Sequence, residues 1–230
     1  MEPLEVSAAF VAERFPRAEV AVMAGSSASG RRTAASDIDL LLIGPEEMFG
    51  SGRSSLATNV AYDGESMELF SYTEQAFEEW VGRDLATFRP VLLNMLAEGL
   101  EVRGGARLEE LRKRWCPVLE AGPRAHEQEL AARRYEVTDL LDDLRDATDP
   151  LEQRVTAGLL FEKTAELLLL TNGHWLASSK HLVRALRRWD AKHADDRAAP
   201  LLDLDFAAFA DRVDAELRRV GGRVQAGFIR

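Results

Sequence analysis

The sequence predicts an α+β protein, with strands in its first half and helices in its second. Short apolar runs bounded by Gly, Pro or Ser lie within the first 104 residues. Beyond residue 108, apolar residues recur at intervals of three and four, which is the spacing of one helix face. Strands followed by a run of helices indicate an α+β fold or two separate domains. We therefore expect a mixed sheet with flanking helices in residues 1–107 and an all-α helical bundle in residues 108–230.

The elements of the first half follow from local patterns. Residues 4–15 carry apolar side chains at helical spacing, and Pro16 ends this pattern. A Gly- and Ser-rich stretch at residues 49–55 predicts a loop, and Thr73 predicts the N-cap of a helix. Four apolar runs predict strands, at residues 20–23, 38–43, 67–72 and 100–103.

The second half contains four amphipathic patterns, at residues 130–144, 155–170, 176–186 and 206–220. The second of these is apolar over the widest arc, which predicts a central position in a bundle. Gly221 and Gly222 are expected to end the last helix.

Composition and charge exclude several functional classes. The net charge is -10 and the isoelectric point is near 5.0, which argues against a nucleic-acid partner because phosphate binding relies on clustered Lys and Arg. One cysteine, Cys116, leaves no pair for a disulfide and no zinc cluster. The N-terminus does not have the pattern of a signal peptide, and no apolar run approaches the ~20 residues of a membrane span. We expect a soluble, cytoplasmic protein with no membrane partner.

Two aspartates stand at the start of the second predicted strand. Asp37 and Asp39 are separated by one residue, and alternate side chains of a strand point to the same face. Two such carboxylates repel each other unless a cation lies between them, and Mg²⁺ is the usual hard cation for oxygen ligands. Upstream, the Gly25-Ser26 turn offers backbone N–H groups and a hydroxyl to phosphates. The pattern indicates a metal-dependent phosphoryl- or nucleotidyl-transfer site.

This pattern resembles a known signature. The segment Gly25-Ser26-Ser27-Ala28-Ser29-Gly30, followed by Ser36-Asp37-Ile38-Asp39-Leu40, is similar to the motif of the nucleotidyltransferase superfamily that includes DNA polymerase β. Within it, the chain looks most like the small bacterial branch of aminoglycoside adenylyltransferases and minimal nucleotidyltransferases. The resemblance covers motifs over residues 18–75 and only architecture elsewhere. It implies a nucleotidyltransferase fold at the N-terminus and a helical bundle that closes one side of the active-site cleft.

The resemblance also implies a set of acidic residues. Asp37 and Asp39 would bridge two Mg²⁺ ions, and Glu68 is the best match for a third carboxylate from a neighbouring strand. Relatives usually have Asp at this third position, and Glu is longer by one methylene group. Glu68 is therefore either a metal ligand or the general base that takes the hydroxyl proton. Asp63 and Glu65, in the preceding turn, are its rivals.

Further residues are candidates for contact with the substrates. Gly25 would let the backbone approach the β- and γ-phosphates, and Ser26 would donate its hydroxyl. Arg31 or Arg32 could reach the triphosphate, or could merely keep the loop solvated. Lys180, entering a predicted helix after a turn, resembles a cleft-facing position that touches the nucleotide or the acceptor.

The predicted function is transfer of a nucleoside monophosphate, with release of pyrophosphate. The cofactors are Mg²⁺, as two ions, and ATP or another nucleoside triphosphate as co-substrate. The acceptor would be a hydroxyl of a small molecule such as an aminoglycoside, or of a protein. The alternative is a non-catalytic, antitoxin-like module that binds a partner through the helical bundle. The sequence leaves the nucleobase and the oligomeric state open, a homodimer included.

Overall fold

The computed structural model describes residues 2–33, 36–50 and 52–225. The chain forms two compact units, Met1–Ala121 and Gly122–Arg230.

The first unit is built on a mixed five-stranded sheet. In chain order its strands are β1 (Val20–Ala24), β2 (Ile38–Ile43), β3 (Ser55–Tyr62), β4 (Glu65–Tyr72) and β5 (Leu100–Arg103). Their order across the sheet is β3-β4-β2-β1-β5. Strands β2 and β4 run parallel, and every other neighbouring pair is antiparallel. The parallel pair at the centre is the part of the sheet that positions the site.

Helices cover both faces of this sheet. They are α1 (Pro3–Arg14), the four-residue α2 (Gly25–Ala28), α3 (Glu74–Ala86), α4 (Val91–Glu98) and α5 (Ala106–Glu120), with a 3-10 turn at Glu46–Met48. One core packs Phe10 of α1 against alternate residues of β1 and β2, including Met23 and Leu40. The other core packs α3, α4 and α5 against the opposite face, where Val22 and Leu41 lie. The sheet therefore has helices on both sides.

Helix α5 belongs to the first unit. Its Leu108 and Leu111 are buried in the same core as β1 and α4, and Arg112 donates hydrogen bonds to the carbonyls of Leu96 (3.0 Å) and Gly99 (2.8 Å). The division between the units consequently falls after Ala121 and not after residue 107.

Strand β3 was not among the predicted strands, and β4 begins earlier than expected. The two strands form a hairpin joined by Asp63 and Gly64, with φ of 49° and 79°. Two consecutive residues with positive φ are typical of the tight turns that match the twist of hairpin strands. Alternate residues of β3 are exposed because it is an edge strand, so it lacks a continuous apolar run. Helix α4 was likewise absent from the predicted elements.

The second unit is a helical bundle. Its helices are α6 (Glu127–Asp146), α7 (Pro150–Thr171), α8 (Lys180–Leu202) and α9 (Phe206–Arg219), and α8 is kinked at Asp190 (φ -154°, ψ 88°). Their core includes Val137, Leu141, Leu160, Phe209 and Leu217. Within residues 122–225 no strand forms, as predicted for an α+β chain with a helical second half. No helix in the described part of the chain is both long enough and apolar enough to cross a membrane.

Candidate active site

Two acidic side chains lie side by side at the centre of the sheet. Asp39 of β2 and Glu68 of β4 are direct partners in the parallel ladder. Their strand neighbours point into the core beneath α1, and these are Ile38, Leu40, Met67 and Leu69. Because side chains alternate along a strand, Asp39 and Glu68 share the opposite face. Both are half-buried.

The two carboxyl groups perturb each other. The pKa of Glu68 is raised, first by burial, then by its hydrogen bond with Asp39, and further by the charges of Asp39 and Asp37. Two carboxyl groups can share a hydrogen bond only when one of them holds a proton. The site therefore disfavours a second negative charge, and a cation would relieve this penalty.

Asp37 lies two residues before Asp39, immediately before β2 begins. Its charge acts on Glu68, and its backbone carbonyl accepts a hydrogen bond from the Ser27 hydroxyl (3.4 Å). Among the described residues, no group of three or more Asp, Glu, His or Cys side chains is arranged to hold a metal ion. The structure thus places Asp39 and Glu68 side by side, whereas Asp37 acts on Glu68 through its charge.

Gly25 forms the wall of the site next to Asp39. It follows β1 directly and has a φ of 64°, which L-residues with a side chain rarely adopt. A Cβ atom at this position would overlap the carboxyl group of Asp39. Glycine is therefore required here both by the backbone conformation and by the close approach of Asp39. The next residue, Ser26, is half-buried, and its carbonyl accepts the N–H of Arg31 (3.0 Å).

Arg32 and Glu65 link the loop before β2 to the start of β4. The Arg32 guanidinium forms a two-pronged ion pair with the Glu65 carboxylate, with Nη1 3.1 Å from Oε1. The hydrogen bond with Arg32 is the main reason that the pKa of Glu65 is lowered. Glu65 precedes Met67 by two residues, which directs it to the face opposite Glu68. Glu65 is accordingly a structural partner of Arg32 and a poor rival to Glu68.

The remaining predicted contacts lie outside this pair. Arg31 is exposed, and within the described part of the chain it forms no ion pair, so its guanidinium is available to a ligand. Lys180 is the first residue of α8, follows Ser179 (φ 51°) and is exposed. Its contact with a nucleotide or an acceptor stays a prediction.

Sequence reasoning missed Asn59. This residue of β3 is the direct antiparallel partner of Glu68, shares its face and is exposed. Asp39, Glu68 and Asn59 therefore form one row across three neighbouring strands. The Asp63-Gly64 turn was the available signal, because counting back from a two-residue hairpin pairs residue 59 with residue 68.

Comparisons with known proteins add little to this geometry. No protein-family model matches the chain, and no curated protein matches it. Among solved structures, the chain is similar to a nucleotidyltransferase-like protein from Exiguobacterium sibiricum, with 12% sequence identity and a TM-score of 0.49. The match covers 94% of this chain and 73% of that protein. A likeness at this identity and TM-score carries no conclusion about activity.

Proposed function

We propose that this protein is a metal-dependent nucleotidyltransferase. The observation that carries the proposal is the Asp39–Glu68 carboxyl pair, held in register on β2 and β4 and packed against the backbone of Gly25. A half-buried acid pair with a raised pKa is costly for a folded protein and is typical of functional sites. The resemblance of the surrounding motif to the nucleotidyltransferase signature supports the same chemistry.

The donor set fits a divalent cation in its chemistry. Asp39 and Glu68 would hold the ion, and Asp37, whose charge also acts on Glu68, would join them as a third ligand. Carboxylate oxygens are the ligands that Mg²⁺ prefers, and two ions would match the resemblance. When bound, Mg²⁺ neutralises phosphate charge and lowers the pKa of the attacking hydroxyl.

The proposed reaction forms one bond and breaks one. The acceptor hydroxyl oxygen bonds to the α-phosphorus of a nucleoside triphosphate, and the bond from that phosphorus to the bridging oxygen of the β-phosphate breaks. Pyrophosphate leaves with the electron pair, and the hydroxyl proton passes to ionised Glu68. A carboxylate with a raised pKa is a better base at neutral pH than an ordinary one.

The row of residues across the sheet suggests where each substrate lies. Gly25, with Ser26 beside it, borders Asp39 on one side, and Asn59 borders Glu68 on the other. Attack and departure in phosphoryl transfer are roughly in line. With the β- and γ-phosphates over Gly25 and Ser26, the acceptor approaches over Asn59, whose amide both donates and accepts hydrogen bonds.

ATP is the first nucleotide to test, with AMP as the transferred group. The acceptor is a hydroxyl of a small molecule or of a protein. A net charge of -10 favours a cationic acceptor such as an aminoglycoside, because opposite charges steer association.

Nucleotide binding is the first test because it needs no knowledge of the acceptor. Thermal unfolding is followed with ATP, GTP, CTP and UTP, each with and without Mg²⁺. Bound nucleotide should raise the melting temperature, because binding to the folded state adds about 2.7 kcal/mol to the free energy of unfolding when the free nucleotide is at about a hundred times its Kd. Asp39→Asn should lose this shift, whereas the exposed Glu47→Gln should keep it.

Release of pyrophosphate with a panel of aminoglycosides and a cell lysate then identifies the acceptor. Absence of any Mg²⁺-dependent shift would point instead to the non-catalytic module.

A further inference from the structure

Helix α7 presents apolar side chains to solvent. Leu151, Val155 and Leu159 are 69%, 64% and 42% exposed, and they follow one another at intervals of four residues. Residues four apart lie on the same side of a helix, so the three form one stripe. The other side of α7, with Ala157 and Leu160, is buried in the core of the bundle. The helix is therefore apolar on both sides in its first half.

Two more leucines of this unit are exposed. Leu202, the last residue of α8, and Leu204, in the turn before α9, are 76% and 52% exposed. They lie outside the α7 stripe.

The backbone at Leu204 is strained. Its φ is 58°, a left-handed conformation that favours glycine and costs an L-residue about 1–2 kcal/mol. The conformation presents a large apolar side chain to water.

The α7 stripe is also complementary to itself in charge. Arg154 and Glu162 lie four residues before and four residues after Gly158, and in the described part of the chain neither forms an ion pair. A Cβ atom at Gly158 would meet nothing within 4 Å, so a second helix can approach closely there. When two copies of α7 pack antiparallel about a two-fold axis at Gly158, each Arg154 faces Glu162 of the other copy. One symmetric contact then contains two ion pairs, and each of the four charges is paired once.

We propose that the α7 face, formed by Leu151, Arg154, Val155, Gly158, Leu159 and Glu162, binds a second copy of this chain as an antiparallel two-fold pair. The two apolar stripes would bury each other's surface from water. The ion pairs between Arg154 of one copy and Glu162 of the other would set the register and favour a copy of the same chain over an unrelated partner. The inference does not depend on the nucleotidyltransferase proposal.

Sedimentation equilibrium of the full chain over a wide range of concentrations tests the proposal. We expect a reversible dimer. Val155→Glu should weaken it by about tenfold or more, because a charge would then be buried in the stripe. Val118→Glu makes the same change at an exposed valine of α5 and should leave the association unchanged. Circular dichroism of both variants confirms that the fold is kept.

A charge exchange tests the register. Arg154→Glu and Glu162→Arg should each weaken the dimer because like charges then face each other, and the double variant should recover it. A monomer at every concentration would overturn the proposal. So would a dimer that Val155→Glu leaves unchanged, or a double variant no tighter than either single one.

Discussion

Glu68 and Asp39 share a hydrogen bond across the parallel pair of strands, and the pKa of Glu68 is raised by burial and by this neighbour. The register of β2 against β4 creates the pair directly. Two adjacent carboxylates repel each other, so this pair costs stability unless one carboxyl group is protonated or a cation is bound.

Glu68→Gln distinguishes a metal ligand from a general base. The change keeps the shape of the side chain and removes its charge. If Glu68 acts mainly as the base, turnover should fall by roughly 10²–10⁴-fold while Mg²⁺ affinity changes little, and the loss should shrink as pH rises. If it is a ligand, affinity and turnover should fall together. Calorimetric titration of Mg²⁺ and pyrophosphate release measure the two quantities. Wild-type turnover across the pH range would remove Glu68 from the site.

Gly25→Ala should damage the site more than Gly30→Ala does. Both glycines have left-handed backbones, with φ of 64° and 66°, so alanine costs about 1–2 kcal/mol of strain at either position. Only at position 25 does the new Cβ atom also collide with the carboxyl group of Asp39. Urea unfolding should show the larger loss for Gly25→Ala, and the Mg²⁺–ATP thermal shift should disappear in that variant alone. Equal losses in the two variants would contradict the close approach of Asp39.

Asn59→Ala should affect the acceptor and spare the nucleotide. Asn59 is exposed, so its loss should leave the unfolding free energy within about 0.5 kcal/mol of wild type. We expect a higher KM for the acceptor identified by the panel, with unchanged Mg²⁺–ATP binding by thermal shift. Thr58→Ala, on the opposite face of the same strand, serves as the control. Weaker ATP binding in Asn59→Ala would place the nucleotide, and not the acceptor, at this edge.

Asp84→Asn should change how stability depends on pH. Burial raises the pKa of Asp84 above 3.8, although its Oδ2 accepts the N–H of Leu92 (3.0 Å) at the start of α4. The folded state therefore binds this proton more tightly than the unfolded chain does. The stabilising contribution of this group is fully present below pH 3.8, the ordinary pKa of an aspartate in the unfolded chain. It is lost as the pH rises through the pKa of the folded state.

In the Asp84→Asn variant, the asparagine side chain can still accept the hydrogen bond but carries no charge. The variant should be at least as stable as wild type in urea at pH 7, with the difference vanishing below the unfolded pKa. A variant less stable than wild type at pH 7 would show that the ionised form is favoured.

Several features were readable from local sequence alone. Strand β2 lies at residues 38–43, where its apolar run predicts it, because a strand buried on both faces needs such a run. The helices of the second unit follow the apolar spacing, with Leu176 falling before α8 instead of within it. The Asp37-Ile38-Asp39 alternation predicts that both acids lie on one face, and in the structure Asp39 is the second residue of β2 with Asp37 just before the strand.

Other features depended on contacts between distant segments. An amphipathic pattern shows that a helix buries one face, but it does not show which elements the face packs against. Helix α5 was therefore predicted as a helix of the second domain, whereas its buried residues lie in the core of the first unit. Strand β3 was missed because half of its residues face solvent at the edge of the sheet. Because Asn59 belongs to β3, its position beside Glu68 was missed as well.

The sequence by itself determined the change from strands to helices along the chain, the position of β2 and the two aspartates at its start. These follow from side-chain alternation and burial within one segment. Only the tertiary structure decided that Glu68 contacts Asp39, that Glu65 turns away to Arg32, and that Gly25 closes the wall. Each of these depends on strand register and on atoms far apart in the chain, which pack together only when the whole sheet has formed.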